Sequence, residues 1–124
     1  TYAFSNATCP KVNLITGEAF GSAYVAFNSK SIGADLVYAY PEAKVGMMEP
    51  ELAAKIMYPN ADATELSEKT AEYTKLQSSV SSAAARGDVD VIIEPADTRK
   101  YLVAAFEMLY SKCEFAPEKK HGTK

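Results

Sequence analysis

The chain of 124 residues is 48% hydrophobic and 23% charged, and its formal net charge is −3. This length and this composition are typical of one globular domain or of a part of one. A slightly acidic chain has no excess of positive charge to bind nucleic acid or an anionic membrane surface, and no apolar run approaches the roughly 20 residues of a membrane span, so we expect neither partner.

The N-terminal segment, TYAFSNATCP, lacks the basic stretch followed by an apolar one that marks a secretory signal, which favours a cytoplasmic protein. It has no initiator methionine and is typical of the last turns of a helix, so we expect a fragment or a processed chain. The two cysteines, Cys9 and Cys113, lie far apart and outside any Cys-x-x-Cys motif. We therefore expect ordinary thiols and no metal site.

The first predicted elements are a strand followed by a helix. The strand covers residues 11–17, whose apolar residues lie between a proline and a glycine. The helix covers residues 22–29. Its spacing of apolar residues places Ala23, Ala26 and Phe27 on one face.

The middle of the chain predicts two short strands and a helix. The strands cover residues 36–40 and 44–48, and Pro41 supplies the turn between them. Pro50 occupies a typical first helical position, because the missing N–H of proline has no partner there in any case. This helix is expected to end near Pro59.

The next predicted element is one long helix. Asp62 and Glu65 form a capping-box pattern at its start, and Gly87 ends it after Arg86. The residues expected on its buried stripe are Leu66, Tyr73, Leu76, Val80, Ala83 and Ala84.

A strand over residues 89–93 and a helix over residues 98–112, capped by Asp97, complete the predicted elements. Residues 117–124 form a polar tail that we expect to be flexible, and His121, which lies in it, is expected to face solvent. Strands and helices alternate throughout, so the predicted fold class is α/β. The stripe expected on the last helix consists of Leu102, Ala105, Phe106 and Leu109.

Three small residues, Gly21, Ser22 and Ala23, stand where the first predicted strand leads into a helix. Backbone N–H groups in the first turn of a helix have no partner inside the helix, and the helix dipole adds positive potential there. Such N–H groups can form an oxyanion hole. Removing one donor from an oxyanion hole typically raises the activation barrier by about 3 kcal/mol. The alternative is that these residues are small only because the helix packs tightly on its strand.

Two long segments resemble a known family. Residues 10–48 resemble the C-terminal half of the carboxyltransferase component of biotin-dependent acyl-CoA carboxylases and decarboxylases, which has a PKV-x-x-IT strand, a KAYGGAY turn and a GAD-x-x-YAWP-x-A segment in this order. Residues 83–102, AAARGDVDVIIEPADTRKYL, are similar to a later family pattern. The resemblance implies an incomplete crotonase (ClpP-like) superhelical fold, in which residues 1–116 form the C-terminal part of one β-β-α spiral domain.

The resemblance also implies roles for the small-residue turn. The N–H groups of Ser22 and Ala23 are expected to stabilise negative charge on the ureido oxygen of biotin, with Gly21 and Tyr24 as further biotin contacts. Ser22 replaces a common glycine of the family. Val25 replaces an aspartate that is tied in the family to selection of the acyl chain, which weakly favours a decarboxylase or an uncharacterised member.

The implied cofactor is biotin on a separate carrier domain, the implied substrate is an acyl-CoA, and no metal is implied. The expected partners are the biotin carboxyl carrier domain, the N-terminal half of the carboxyltransferase and other copies of the chain, so the isolated chain is expected to be inactive.

Two alternative functions stay open. Glu49 could act as the acid or base of a crotonase-type hydratase or isomerase, or the chain could be a non-catalytic assembly piece. Arg99 is expected to be structural, with a role near the site as its alternative.

Overall fold

The computed structural model describes residues 1–115, which form short strands and helices in alternation. The strands are β1 (Val12–Ile15), β2 (Glu18–Phe20), β3 (Leu36–Ala39), β4 (Lys44–Gly46) and β5 (Val91–Ile92). The α-helices are α1 (Tyr2–Asn6), α2 (Gly21–Ala26), α3 (Pro50–Met57), α4 (Ala63–Tyr73), α5 (Val80–Arg86) and α6 (Thr98–Met108). Short 3-10 turns cover Lys30–Ile32 and Pro95–Asp97, and a π-helical turn covers Thr74–Ser78.

The strands form two parallel sheets. The larger sheet has the order β1-β3-β5, and the smaller sheet pairs β2 with β4. In the smaller sheet Phe20 lies opposite Gly46. Because the carboxyl ends of parallel strands lie at the same edge of a sheet, α2 and α3, which follow β2 and β4, both begin at that edge.

The main hydrophobic core lies between the two sheets and α5. A second, smaller core forms between the larger sheet and α6, where the rings of Tyr38 and Tyr101 meet edge to face with their centres 5.8 Å apart. Apart from Tyr24, the main core is built from small and β-branched residues, so its strands and helices approach closely. The main core consists of Ile15, Tyr24, Ala34, Val37, Ala39, Ala43, Val45, Val80, Ala83 and Val89.

Two aspartates connect distant parts of the chain. Asp90 accepts a hydrogen bond from the backbone N–H of Val37 at 2.8 Å and pairs with Lys30 at 2.7 Å. Asp35 accepts a hydrogen bond from a backbone N–H at 2.7 Å and pairs with Lys112 at 2.8 Å, which fixes the segment after α6 against the start of β3. Burial raises the pKa of Asp35, but its hydrogen bonds outweigh this effect and the net pKa lies below the ordinary value.

The sequence prediction missed β2. The helix predicted over residues 22–29 is also shorter than expected, since α2 spans Gly21–Ala26. Strand β2 is only three residues long and pairs with β4, which lies more than 20 residues further along the chain. A pairing between distant segments leaves no periodic pattern in so short a segment, so the local sequence could not indicate it.

The single helix predicted from Asp62 to Arg86 is wrong. Helix α4 ends at Tyr73, the π-helical turn follows, and Ser79 has extended backbone angles of φ −67° and ψ 148°. The hydroxyl of Ser79 then accepts a hydrogen bond from the N–H of Ser82 and caps α5. The break turns Leu76 outward, so this predicted core residue is 60% exposed.

Several other predictions are confirmed. Helix α3 begins at Pro50 and α5 ends before Gly87, whose φ of +84° is the left-handed conformation of a C-terminal cap.

The stripe predicted on α6 is only partly correct. The predicted residue Ala105 is buried, but Phe106 is 50% exposed and that part of the prediction is wrong. The polar tail and His121 lie outside the described residues.

The ion pair of Asp35 predicts a pH dependence of stability. The folded-state pKa of this carboxyl lies below the ordinary value of 3.8, so its stabilising effect is present above that pH and is lost as the pH falls towards the folded-state pKa. We expect urea midpoints to fall between pH 5 and about pH 3, and to fall less in Asp35→Asn. The exposed residue Glu42 provides the control: Glu42→Gln should keep the wild-type pH slope. If the urea midpoint of Asp35→Asn fell with pH as steeply as that of the wild type, the assignment of this pH dependence to Asp35 would be contradicted.

Candidate functional site

The candidate site lies at the edge of the smaller sheet where β2 leads into α2. Gly21, the first residue of α2, has a φ of +66°, a left-handed conformation that favours glycine. A Cβ atom added there would lie 3.8 Å from the carbonyl oxygen of Met47, which is an ordinary contact. The backbone conformation, and not lack of space, is therefore what requires a glycine at this turn.

The first N–H groups of α2 are not capped by a side chain. The N-cap residue of α2 is Phe20, which has no side-chain acceptor, and the structure has no side-chain hydrogen bond at this cap. The first N–H groups of any helix also lack partners inside the helix, and the helix dipole makes their surroundings positive. The N–H groups of Ser22 and Ala23, whose small side chains are exposed, can therefore donate to an oxygen atom that approaches the turn.

A cavity of about 340 Å³ lies beside this turn, within the size range of small-molecule sites. Ala23 and Phe27 lie one helical turn apart and both line it. The two residues share a helix face, as predicted, and this face is turned away from the core, because Ala23 is exposed and Phe27 is 70% exposed. The lining residues are Asn13, Leu14, Ile15, Thr16, Gly17, Glu18, Ala19, Phe20, Ala23, Tyr24 and Phe27.

Tyr24 is the residue of α2 that occupies the core. Its side chain is buried, and it lines both this cavity and a second one of about 450 Å³ that is also lined by Arg86 and Asp88. Burial raises the pKa of Tyr24, Asp88 raises it further, and Arg86 lowers it by less. The phenol therefore stays protonated at neutral pH and forms part of the wall behind the turn.

Val25, the residue expected to select the acyl chain, is half-buried and packs against the main core. It is not among the lining residues of the cavity beside the turn. Its effect on a ligand in that cavity would therefore act through the packing of α2, and its role in selection stays a prediction.

Glu49 lies at the same sheet edge as the turn. It is exposed and is the N-cap residue of α3, where its carbonyl oxygen accepts a hydrogen bond from the N–H of Ala53 at 3.0 Å. Its side chain makes no capping hydrogen bond. The negative charge is favoured there by the dipole of α3, which is consistent with a purely structural position.

Arg99 lies elsewhere. It is an exposed residue in the first turn of α6, in a groove lined by Leu102, Val103 and Phe106, none of which belongs to the cavity beside the turn. The structure therefore does not bring Arg99 together with Ser22 and Ala23.

The sequence prediction did not assign Phe27 to the site. The signal was present, because Phe27 follows Ala23 by four residues and so shares a helix face with it. Apolar spacing alone does not tell a core face from a cavity wall, so the pattern did not assign this face to a site.

Among residues 1–115, no group of three or more histidine, cysteine, aspartate or glutamate side chains is placed to hold a metal ion. No helix in this part is both long and apolar enough to cross a bilayer.

The fold and the turn define a class of protein: an α/β domain with parallel sheets, in which a strand leads into a helix whose uncapped start lies beside a cavity. Comparison with known proteins then gives the family. The carboxyl transferase domain family matches residues 1–123, and the chain belongs to this family. The expected α/β fold of the crotonase type is confirmed by the structural similarity to carboxyltransferase subunits.

Three relatives illustrate the similarity. The chain is 50% identical to the "Putative propionyl-CoA carboxylase beta chain" of Bacillus subtilis (strain 168) and 46% identical to the methylmalonyl-CoA decarboxylase subunit alpha of Propionigenium modestum, with 98% of this chain and 25% of each relative covered. The crystal structure of transcarboxylase 12S with methylmalonyl-coenzyme A bound superimposes with a TM-score of 0.92 at 41% identity, covering 98% of this chain and 24% of that one. The chain thus spans about a quarter of the length of these relatives.

The left-handed turn predicts different effects for the two glycines that flank β2. Gly21→Ala should lower the free energy of unfolding by about 1 to 2 kcal/mol, because its φ is +66°. Gly17→Ala is the matched control: the added Cβ meets nothing within 4 Å, and the change should stay below about 0.5 kcal/mol. Urea unfolding measures both. Equal effects would show that the turn does not depend on the left-handed conformation.

Proposed function

We propose that this chain belongs to a biotin-dependent carboxyltransferase that moves a carboxyl group between biotin and an acyl-CoA, and that it supplies the oxyanion hole on the biotin side. The observation that carries the proposal is the uncapped start of α2 after Gly21, beside a cavity. The names of the relatives, which include a propionyl-CoA carboxylase beta chain and a methylmalonyl-CoA decarboxylase subunit, support it.

The residues present fit biotin in two respects. Ala23, in the first turn of α2, lines the cavity, and Ser22 stands directly before it in the same uncapped turn, so their N–H groups lie beside the cavity and suit a carbonyl-type oxygen. The other walls of the cavity include Leu14, Ile15 and Phe27, which suit apolar ring atoms. When bound, biotin supplies a ureido group that carries the carboxyl group as it is transferred.

The residues of this chain contribute by charge stabilisation. The N–H groups of Ser22 and Ala23 donate hydrogen bonds to an oxygen on which negative charge increases, and the dipole of α2 adds to the effect. Gly21 orients these donors, and the side chain of Ala23 is short enough to leave them accessible. No side-chain nucleophile is needed for this contribution, so a Ser-His-Asp set is not required.

The substrate and the partners belong to the same proposal. We infer an acyl-CoA of the propionyl or malonyl type from the relatives' names, and a biotin carboxyl carrier domain as the partner that delivers biotin. Assembly with the N-terminal half of a carboxyltransferase and with further copies is supported by the hexamer named for transcarboxylase 12S. We place the protein in the cytoplasm because CoA thioesters are intracellular substrates.

The oxyanion hole predicts a strong effect of Ser22→Pro. Proline removes one N–H donor but is tolerated in the first turn of a helix, and Gly21 before it accepts a wide range of backbone angles. We expect kcat for transfer of labelled carboxyl from malonyl-CoA or methylmalonyl-CoA to free biotin, measured on the full-length protein, to fall about 100- to 1,000-fold.

The matched control is Ser22→Ala, which keeps the N–H and removes only the hydroxyl. It should retain kcat within about threefold, because the exposed hydroxyl makes no hydrogen bond within residues 1–115. Urea unfolding checks that both variants are folded. Equal activity of the two variants would show that this N–H is not a donor in the reaction.

The hydratase alternative predicts an effect of Glu49. In a crotonase-type hydratase Glu49→Gln should abolish the hydration of an enoyl-CoA, which needs no biotin. In the proposed carboxyltransferase this variant should keep carboxyl transfer within about threefold, because Glu49 only begins α3. Hydration by the wild-type protein that is lost in Glu49→Gln, together with no carboxyl transfer, would establish the alternative.

A further inference from the structure

Phe27 is an exposed aromatic residue within a cavity. It is 70% exposed, whereas the other two aromatic residues of the cavity lining, Phe20 and Tyr24, are partly or fully buried. An apolar ring held in an open concave site gains free energy when a ligand covers it. Its location therefore indicates a binding contact.

The backbone holds Phe27 in a fixed place next to the turn. Its N–H donates to the carbonyl oxygen of Ala23 at 3.0 Å. The next residue, Asn28, has a φ of +57°, and the hydroxyl of Ser29 bonds to the carbonyl oxygen of Val25 at 3.0 Å, so the end of α2 is closed by hydrogen bonds. The backbone that carries the ring is therefore ordered before the ligand arrives, which lowers the entropic cost of binding.

Phe27 also lies within reach of any group bound at the turn. It follows Ala23 by four residues, slightly more than one helical turn, which is a rise of about 6 Å. A ligand whose oxygen contacts the N–H groups of Ser22 and Ala23 and whose body extends along α2 therefore passes over the ring of Phe27. Both Ala23 and Phe27 line the same cavity of about 340 Å³.

We propose that Phe27 is the apolar wall against which the sulfur-containing ring of biotin packs; this inference rests on the proposed function. Biotin has a polar ureido edge and an apolar thioether ring on opposite sides of one fused system. The turn suits the polar edge, and the face of an aromatic ring suits the thioether, because sulfur makes favourable contacts with aromatic rings. Phe27 thus determines affinity for biotin and does not take part in the chemical step.

The test compares Phe27→Ala, Phe27→Leu and a control in the full-length protein. The control is Tyr110→Ala, which removes a 90% exposed aromatic ring that lines the groove along α6 and not this cavity. The dissociation constant of free biotin is measured by saturation-transfer difference NMR without acyl-CoA, kcat and KM by carboxyl transfer, and the oligomeric state by sedimentation.

We expect Phe27→Ala to raise both the dissociation constant and KM for biotin about tenfold, with kcat and sedimentation unchanged. Phe27→Leu should recover part of the loss, because leucine restores apolar contact but not the ring. Tyr110→Ala should match the wild type in biotin binding. Since Phe27 is mostly exposed, all variants should unfold at the wild-type urea midpoint.

Wild-type biotin affinity in Phe27→Ala would overturn the inference. If the same variant instead changed sedimentation, Phe27 would belong to a contact with another part of the protein or with a second copy, which also overturns it. The proposed function fails separately: the wild-type protein would then neither bind biotin nor transfer carboxyl. Loss of transfer in Ser22→Pro with unchanged biotin affinity in Phe27→Ala would leave the proposed function standing and reject only the role of Phe27.

Discussion

The parallel pairing of β2 with β4 is the constraint on which the candidate site depends. Each strand has only three residues, yet their register places Phe20 opposite Gly46 and so brings the turn at Gly21 next to the segment that begins α3. The pair is held from inside by Val45, which is fully buried, and its outer end carries the ion pair of Lys44 with Glu18. Without this pairing the start of α2 would have no fixed place.

The chemistry proposed for the candidate site comes from the backbone. An N-cap residue such as serine or aspartate would satisfy the first N–H groups of α2 with its own side chain, at a gain of about 1 kcal/mol in stability. The chain has Phe20 there instead, so this stability is not gained and the donors stay accessible. Behind them Tyr24 is buried in the main core, and Arg86, which lines the second cavity together with Tyr24, donates from its guanidinium to the carbonyl oxygen of Gln77 at 2.9 Å. Support of this kind lets a short helix present free donors without a cap.

Much of this fold could be predicted from the sequence, because local signals decide much of it. Proline at the start of α3 and glycine after α5 act through their own backbone preferences, and the start of α3 and the end of α5 were both predicted. Strand β2 and the break at Ser79 depend on contacts with distant residues, which no local pattern records. At the site, the small residues of the turn indicated an oxyanion hole, but the outward face of Phe27 could not be predicted, because a cavity and a core attract the same residue types.

The most direct test of the account is a crystal structure of the full-length protein with biotin bound. The account predicts the ureido oxygen at hydrogen-bond distance, about 2.7 to 3.2 Å, from the backbone nitrogens of Ser22 and Ala23. A ureido oxygen held by other donors, for example by Arg99 in the groove along α6, would contradict the assignment of the oxyanion hole to this turn.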